Sequence, residues 1–321
     1  MTPEPPAKHD PLHAVKSYDL ESQLKQIAGG ATSSIVTRFI VQPFEVLKIR
    51  FQLQVEPVHH KHGHHSSKYK SFLQACRLIH KEEGLTAFWK GHNAGQLLSI
   101  VYGVSQFWSY EQLELQFSQT PLLQDRPNFN RFISGATSGA IATMVSMPFD
   151  VVRTRLVVQD TGSGYRNATA AIPHILRKEG VRGLYRGLGT SLIQIVPLVG
   201  ANFAFYGIFN DVAANFMHIE DHKLLPTWLI LLSGGVTGAF SKMAVYPLDF
   251  IKRRLQVQGF HEHRKTFGRN VTYDGIFSCI RLTLLEEGLL GFYKGMGPTL
   301  IKAGVSTALY FGVYEKMKQI M

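Results

Sequence analysis

The chain has 321 residues, with 34 Lys and Arg against 23 Asp and Glu, and a formal net charge of +11. Such basicity suits an anionic ligand, anionic lipid or nucleic acid, while two cysteines, Cys76 and Cys279, exclude a disulfide framework and a cysteine-rich metal site. The apolar share of 45% is dealt out in alternating apolar and polar segments, so the average does not exclude a membrane protein.

Residues 1–22 are polar, with Pro3, Glu4, Pro5, Pro6 and Asp10. They lack the apolar stretch of a signal peptide and the Arg-rich, acid-poor helix of a cleaved transit peptide, so the expectation is a flexible tail with any targeting signal internal.

Beyond the tail the chain repeats itself. Pro43-Phe44-Glu45-Val46-Leu47-Lys48-Ile49-Arg50 returns after 105 residues as Pro148-Phe149-Asp150-Val151-Val152-Arg153-Thr154-Arg155. It returns after a further 99 as Pro247-Leu248-Asp249-Phe250-Ile251-Lys252-Arg253-Arg254. A fixed period decides architecture before other cues, and it divides the chain into units at 23–120, 121–222 and 223–321. Each unit reads as a long apolar helix, a polar stretch with a short helix, and a second apolar helix. The first helices are expected at Leu24–Val55, Phe129–Val158 and Pro226–Val257, and the second at Gly91–Tyr110, Gly187–Tyr206 and Gly295–Tyr314. A helix of about 20 residues spans about 30 Å, the thickness of the hydrocarbon layer. The expected fold is therefore an all-α membrane protein with six spans, three short helices between them, and both termini on one side.

The spans carry polar residues, among them Arg38, Thr137, Ser138, Lys242 and Lys302. A charge inside a membrane helix faces a bundle interior or a water-filled cavity. Soluble amphipathic helices are the alternative. Against that stand small-xxx-small pairs such as Gly91/Gly95, Gly135/Gly139 and Gly234/Gly238, which let helices approach closely in lipid.

Between the helices a second element recurs. An acid-Gly pair leads to Trp89-Lys90-Gly91, to Tyr185-Arg186-Gly187 and to Tyr293-Lys294-Gly295. The first glycine ends a short helix, the aromatic suits a membrane interface, and the base is placed to meet a lipid phosphate at a helix N-terminus. His59, His60, His62, His64 and His65 cluster in the first connection. With no Cys or carboxylate among them they read as a solvated loop, with metal binding the alternative, and no metal site is expected.

These residues resemble the mitochondrial carrier family from about Leu24 to Lys318. The resemblance implies a threefold pseudosymmetric six-helix bundle in the mitochondrial inner membrane, working by alternating access as a monomer, with both termini toward the intermembrane space. The stretches Gln42–Gln54, Thr86–His92 and Pro247–Val257 are most similar to members that carry thiamine pyrophosphate. That implies uptake of thiamine pyrophosphate into the matrix in exchange for nucleotides, with an adenine-nucleotide or coenzyme A carrier as the alternative. It implies no cofactor, cardiolipin as a bound lipid at the Trp89, Tyr185 and Tyr293 triplets, and no nucleic-acid partner.

By the same resemblance the proline motifs form a matrix gate. Glu45 pairs with Arg153, Asp150 with Lys252 and Asp249 with Lys48, braced by Gln52 and Gln256, while Val157 leaves the second repeat without a brace. Solvated helix ends are the bland alternative. A cytoplasmic gate would use Tyr110, Glu111, Tyr206, Tyr314, Glu315 and Lys318. Pairing there would set Glu111 against Asn210, Gly207 against Lys318 and Glu315 against Glu114, none of them an ion pair. A weak latch and a resting state open to the intermembrane space follow.

For the substrate, Arg38 and Lys242 each lie five residues before a kink proline, which puts them at one depth. The resemblance adds contact positions at Leu98, Gln194, Ile195 and Lys302. Three bases around one cavity make an anion site, and Arg can hold a phosphate bidentately. Gln96, Gln194 and Asn202 are candidates for a pyrimidine edge, and Tyr102 either stacks on a ring or packs. An enzyme is disfavoured because no nucleophile/base pair, phosphate loop or metal set is present. A nucleic-acid-binding repeat is disfavoured because the bases do not follow one helix face.

Overall fold

The computed structural model describes residues 20–55, 68–119, 127–217, 227–264 and 271–320. The expected tail (apart from 20–22), the His59–His65 cluster and Pro226 lie outside them. Nine α-helices are assigned among the described residues, in three matching sets. The first is α1 (Leu20–Leu53), α2 (Phe72–Glu83) and α3 (His92–Ser118). The second is α4 (Pro127–Val158), α5 (Ala168–Leu184) and α6 (Leu188–Met217). The third is α7 (Thr227–Gln256), α8 (Ile276–Glu287) and α9 (Met296–Ile320).

The long helices run 25 to 34 residues, roughly 38 to 51 Å at 1.5 Å per residue. α3, α6 and α9 continue well past the tyrosines at which they were expected to stop. They pack side by side in a ring, with α9 returning against α1. Pro43, Pro148 and Pro247 lie inside α1, α4 and α7, where each removes one backbone hydrogen bond from an otherwise continuous helix.

Between long helices each repeat turns in the same way. Short helices α2 and α8 end on Gly84 and Gly288 with φ of 82° and 70°, and Gly180 breaks α5 at φ 70°. A second glycine opens the next long helix, and here the requirement is twofold. Gly91, Gly187 and Gly295 have φ of 75°, 82° and 83°. A Cβ on them would stand 3.0, 3.0 and 2.9 Å from the carbonyl oxygens of Arg153, Lys252 and Lys48. No other residue offers both the left-handed backbone and that close approach.

Polarity is arranged inside out. Glu45, Lys48, Asp150, Arg153 and Asp249 are buried, while Phe107 and Phe216 are 79% and 82% exposed on the outer faces of α3 and α6. An outer surface rich in exposed apolar side chains belongs in an apolar medium. Among the described residues two helices, over Phe129–Val158 and Leu188–Met217, are long and apolar enough in themselves to cross a membrane. Of the other expected spans, α1 carries Arg38, Glu45, Lys48 and Arg50, charges that lower its mean hydropathy.

Candidate functional site

The turns that follow the three prolines bring their charges together at one end of the bundle. Arg153 Nη2 lies 3.0 Å from Glu45, Lys252 Nζ 2.7 Å from Asp150, and Lys48 Nζ 2.5 Å from Asp249. Each pair joins one repeat to another. Gln52 donates to Asp249 at 3.4 Å and Gln256 to Asp150 at 2.9 Å, while Val157 occupies the matching place in the second repeat. Arg253 was not singled out in the sequence, yet it donates to Asp150 at 2.8 Å, to Thr154 at 2.7 Å and to Gln256 at 2.9 Å. Asp150 is thus held by two bases.

A second ring lies just beyond the first. The arginine seven residues after each proline donates through Nε to a brace-position carbonyl of another repeat: Arg50 to Val157, Arg155 to Gln256 and Arg254 to Gln52. The same guanidinium holds a carboxylate within its own repeat. Arg50 Nη1 is 2.5 Å and Nη2 2.8 Å from Glu83; Arg155 Nη2 is 2.9 Å from Glu179; Arg254 Nη1 is 2.5 Å from Glu287. Burial raises the Glu83 carboxyl, but the Arg50 guanidinium and then Lys90 outweigh it and bring the pKa from 4.5 to about 2.

This second ring also takes in the bases of the aromatic-base-glycine triplets. Lys90 is 2.6 Å from Glu83, Arg186 is 3.1 Å from Glu179, and Lys294 pairs with Glu287. Trp89 spends its indole N–H on the Phe39 carbonyl at 3.1 Å, and Tyr293 stacks on Tyr246. The acid seven residues ahead captures each base, because the short helix and the glycine turn fold it back. Arg186 alone among the three bases lines an open groove, with Arg182, Tyr185, Gly187 and Gly275.

Toward the middle of the bundle the ring opens into a cavity of two adjoining lobes, of about 690 and 360 Å³, within the usual size of small-molecule sites. Arg38 and Gln96 line the larger lobe. Lys242, Leu98, Tyr102, Gln194 and Ile195 line the smaller, and Lys302, Ser99, Glu45 and Arg153 border both. Asn202 borders neither. Arg38 and Lys242 therefore line adjoining lobes of one cavity, with Lys302 bordering both. Lys302 itself is ion-paired to Glu45. Among the described residues Arg38 and Lys242 make no ion pair, and Arg38 Nε is buried without a hydrogen-bond partner. Seven bases (Arg38, Lys48, Arg153, Lys242, Lys252, Arg253 and Lys302) line the two lobes against three acids, Glu45, Asp150 and Asp249.

The pattern of the family described as "Mitochondrial carrier protein" matches residues 20–120, 124–216 and 223–321. The chain belongs to the mitochondrial carrier family. It is accordingly a transport protein of a mitochondrial membrane, with an anionic small molecule as its substrate class. It is 39% identical over 294 residues to the mitochondrial thiamine pyrophosphate carrier of Macaca fascicularis, covering 92% of this chain and 91% of that one. The protein of that name from Homo sapiens is 40% identical over 286 residues, 89% and 88% of the two chains. The mitochondrial thiamine diphosphate carrier 2 of Zea mays is 33% identical over 304 residues, 89% and 90% of the two chains.

The far end of the carrier is bonded differently. Among the described residues Glu111 and Glu114 make no ion pair, and Tyr110 and Tyr206 are partly exposed. Asn210, expected opposite Glu111, instead accepts from Ser233 at 2.8 Å. The helix α9 continues through Tyr314, Glu315 and Lys318, whose side chains lie outside those described.

Proposed function

We propose that this carrier imports thiamine pyrophosphate into the mitochondrial matrix across the inner membrane, in exchange for nucleotides. The observation that carries the reading is the cavity's excess of bases over acids, with Arg38 and Lys242 unpaired among the described residues. In a site shielded from water such groups bind phosphate strongly, and Arg38 offers a bidentate fork. Tyr102, Leu98 and Ile195 in the smaller lobe supply an apolar wall for a ring. The relatives named above are called thiamine pyrophosphate or thiamine diphosphate carriers, which supports the cargo.

In this reading six helices span the membrane in three pseudosymmetric repeats. The short helices and the proline-motif end face the matrix, and both termini face the intermembrane space. The three inter-repeat pairs are the matrix gate, and the sparsely charged far end is the cytoplasmic gate. A buried ion pair's attraction is largely offset by desolvation. A ring of such pairs can therefore open and close with a small free-energy difference, as alternating access requires. The carrier works as a monomer without a cofactor, and cardiolipin takes the groove between Arg182, Arg186 and Gly275, where its phosphates meet the start of α6.

Reconstitution into liposomes tests this directly. Uptake of labelled thiamine pyrophosphate should exceed that of adenine nucleotides and coenzyme A, and should require nucleotide inside. Arg38→Ala should reduce uptake by at least about tenfold, the loss of one charge-assisted contact, while leaving thermal stability nearly unchanged. Normal uptake by that variant refutes the assignment of Arg38.

A further inference from the structure

The three pairs at the proline-motif end are not supported alike. Gln52 and Gln256, which hold Asp249 and Asp150, are fully buried and line neither lobe of the cavity, so no ligand reaches them. The third acid, Glu45, has no glutamine, because Val157 stands in that place. Its second oxygen is held instead by Lys302, which comes from α9 on the cavity side. Lys302 borders both lobes and is 35% exposed, against 9% for Glu45 and 5% for Arg153.

We propose that Lys302 is a positioning residue which the cargo displaces. In the empty carrier it takes the place of the missing brace and holds Glu45 toward Arg153. A pyrophosphate entering either lobe competes for the same ammonium, draws it off Glu45, and leaves the Glu45–Arg153 pair as the least supported of the three. Opening then starts at the seam between α1 and α4, while the two glutamine-braced pairs follow. This rests on the reading of the cavity as an anion site.

Local packing makes the decisive variant feasible. Val157 packs against Gly91 as Gln256 packs against Gly187 and Gln52 against Gly295, with side-chain carbons 3.1, 3.3 and 3.4 Å from an ideal Cβ at each glycine. A glutamine at 157 therefore enters a place that holds glutamine twice elsewhere. Val157→Gln gives Glu45 a brace that cargo cannot reach. Its turnover should fall about two- to tenfold, the value of one hydrogen bond, while the half-saturating concentration does not rise.

A double-mutant cycle on Glu45→Gln and Lys302→Gln, read by thermal unfolding of purified carrier, supplies the second measurement. The two sites should be coupled in the empty protein and uncoupled at saturating thiamine pyrophosphate, with Lys302→Arg retaining the coupling of the empty state. Coupling that persists with cargo bound overturns the proposal, as does wild-type turnover by folded Val157→Gln. If Val157→Gln does not fold, the cycle alone decides. If wild-type liposomes take up no thiamine pyrophosphate, the cargo reading fails, and the cycle is run with inorganic pyrophosphate to judge Lys302 separately.

Discussion

At the proline-motif end, buried acids and bases from all three repeats interlock in two successive layers; at the opposite end, Glu111 and Glu114 stand without an ion pair among the described residues. Both ends belong to the same bundle, so the contrast concerns how firmly each is held. A closed ring of charge pairs resists separation only while every member keeps its partner, since a lone buried charge is costly. Under the proposed function the far end closes through tyrosines and small polar residues, and such an end has no all-or-none character. The lesson is that the two ends of one bundle need not be held equally, and that the asymmetry lies in side chains rather than in the backbone, which repeats three times.

The sharpest way to break this comparison is to remove an arginine of the second layer. Arg254 is fully buried between Glu287, Thr283 and the carbonyls of Gln52 and Gln54. Arg254→Leu leaves Glu287 with Lys294 alone and takes the side-chain donor from the Gln52 carbonyl of another repeat, while the Gln54 carbonyl keeps Lys294 at 3.0 Å. The expected cost is about 3–5 kcal/mol, enough to abolish folded carrier in membranes, measured by thermal unfolding and by yield. An unchanged unfolding temperature would mean that this layer carries no structural weight.

The next test acts on the gate itself. Asp249→Lys sets two ammonium groups face to face where the pair with Lys48 is 2.5 Å apart. Uptake should be lost, and adding Lys48→Asp should restore part of it by recreating the pair with reversed polarity. Restoration stays incomplete because Gln52 then braces a lysine, and because Arg253, which faces the neighbouring Asp150, loses a nearby carboxylate at Asp249. Full uptake by the single variant would remove Asp249 from the gate.

Much of this was legible in the sequence, and the residues show why the rest was not. The proline-acid-base triplets gave the three repeats and the six long helices, because period survives without coordinates, and the family resemblance gave the three pairings. Arg253 was passed over because it stands between two motif bases, Lys252 and Arg254, and sequence spacing does not say that it turns inward as well. Glu83, Glu179 and Glu287 were read with their glycines as helix ends. Their threefold recurrence beside three recurring arginines was the signal that would have joined them. Lys302 was placed at the cavity correctly but not on Glu45, since that contact joins residues 257 apart and depends on side-chain reach.

The smallest expected effect lies at the far end. Glu111 is exposed on α3 and makes no ion pair among the described residues. Glu111→Gln should shift stability by no more than about 0.5 kcal/mol, as at an ordinary surface position, and leave the initial rate of thiamine pyrophosphate uptake within about twofold of wild type, since that shift is worth little more than a factor of two. Its value is as the counterweight to Asp249→Lys: both remove one carboxylate near one end of the same bundle, the one by reversing the charge and the other by neutralising it. A large loss of uptake from Glu111→Gln would mean that the far end holds a charged latch after all, and the two gates would then differ in number of pairs rather than in kind.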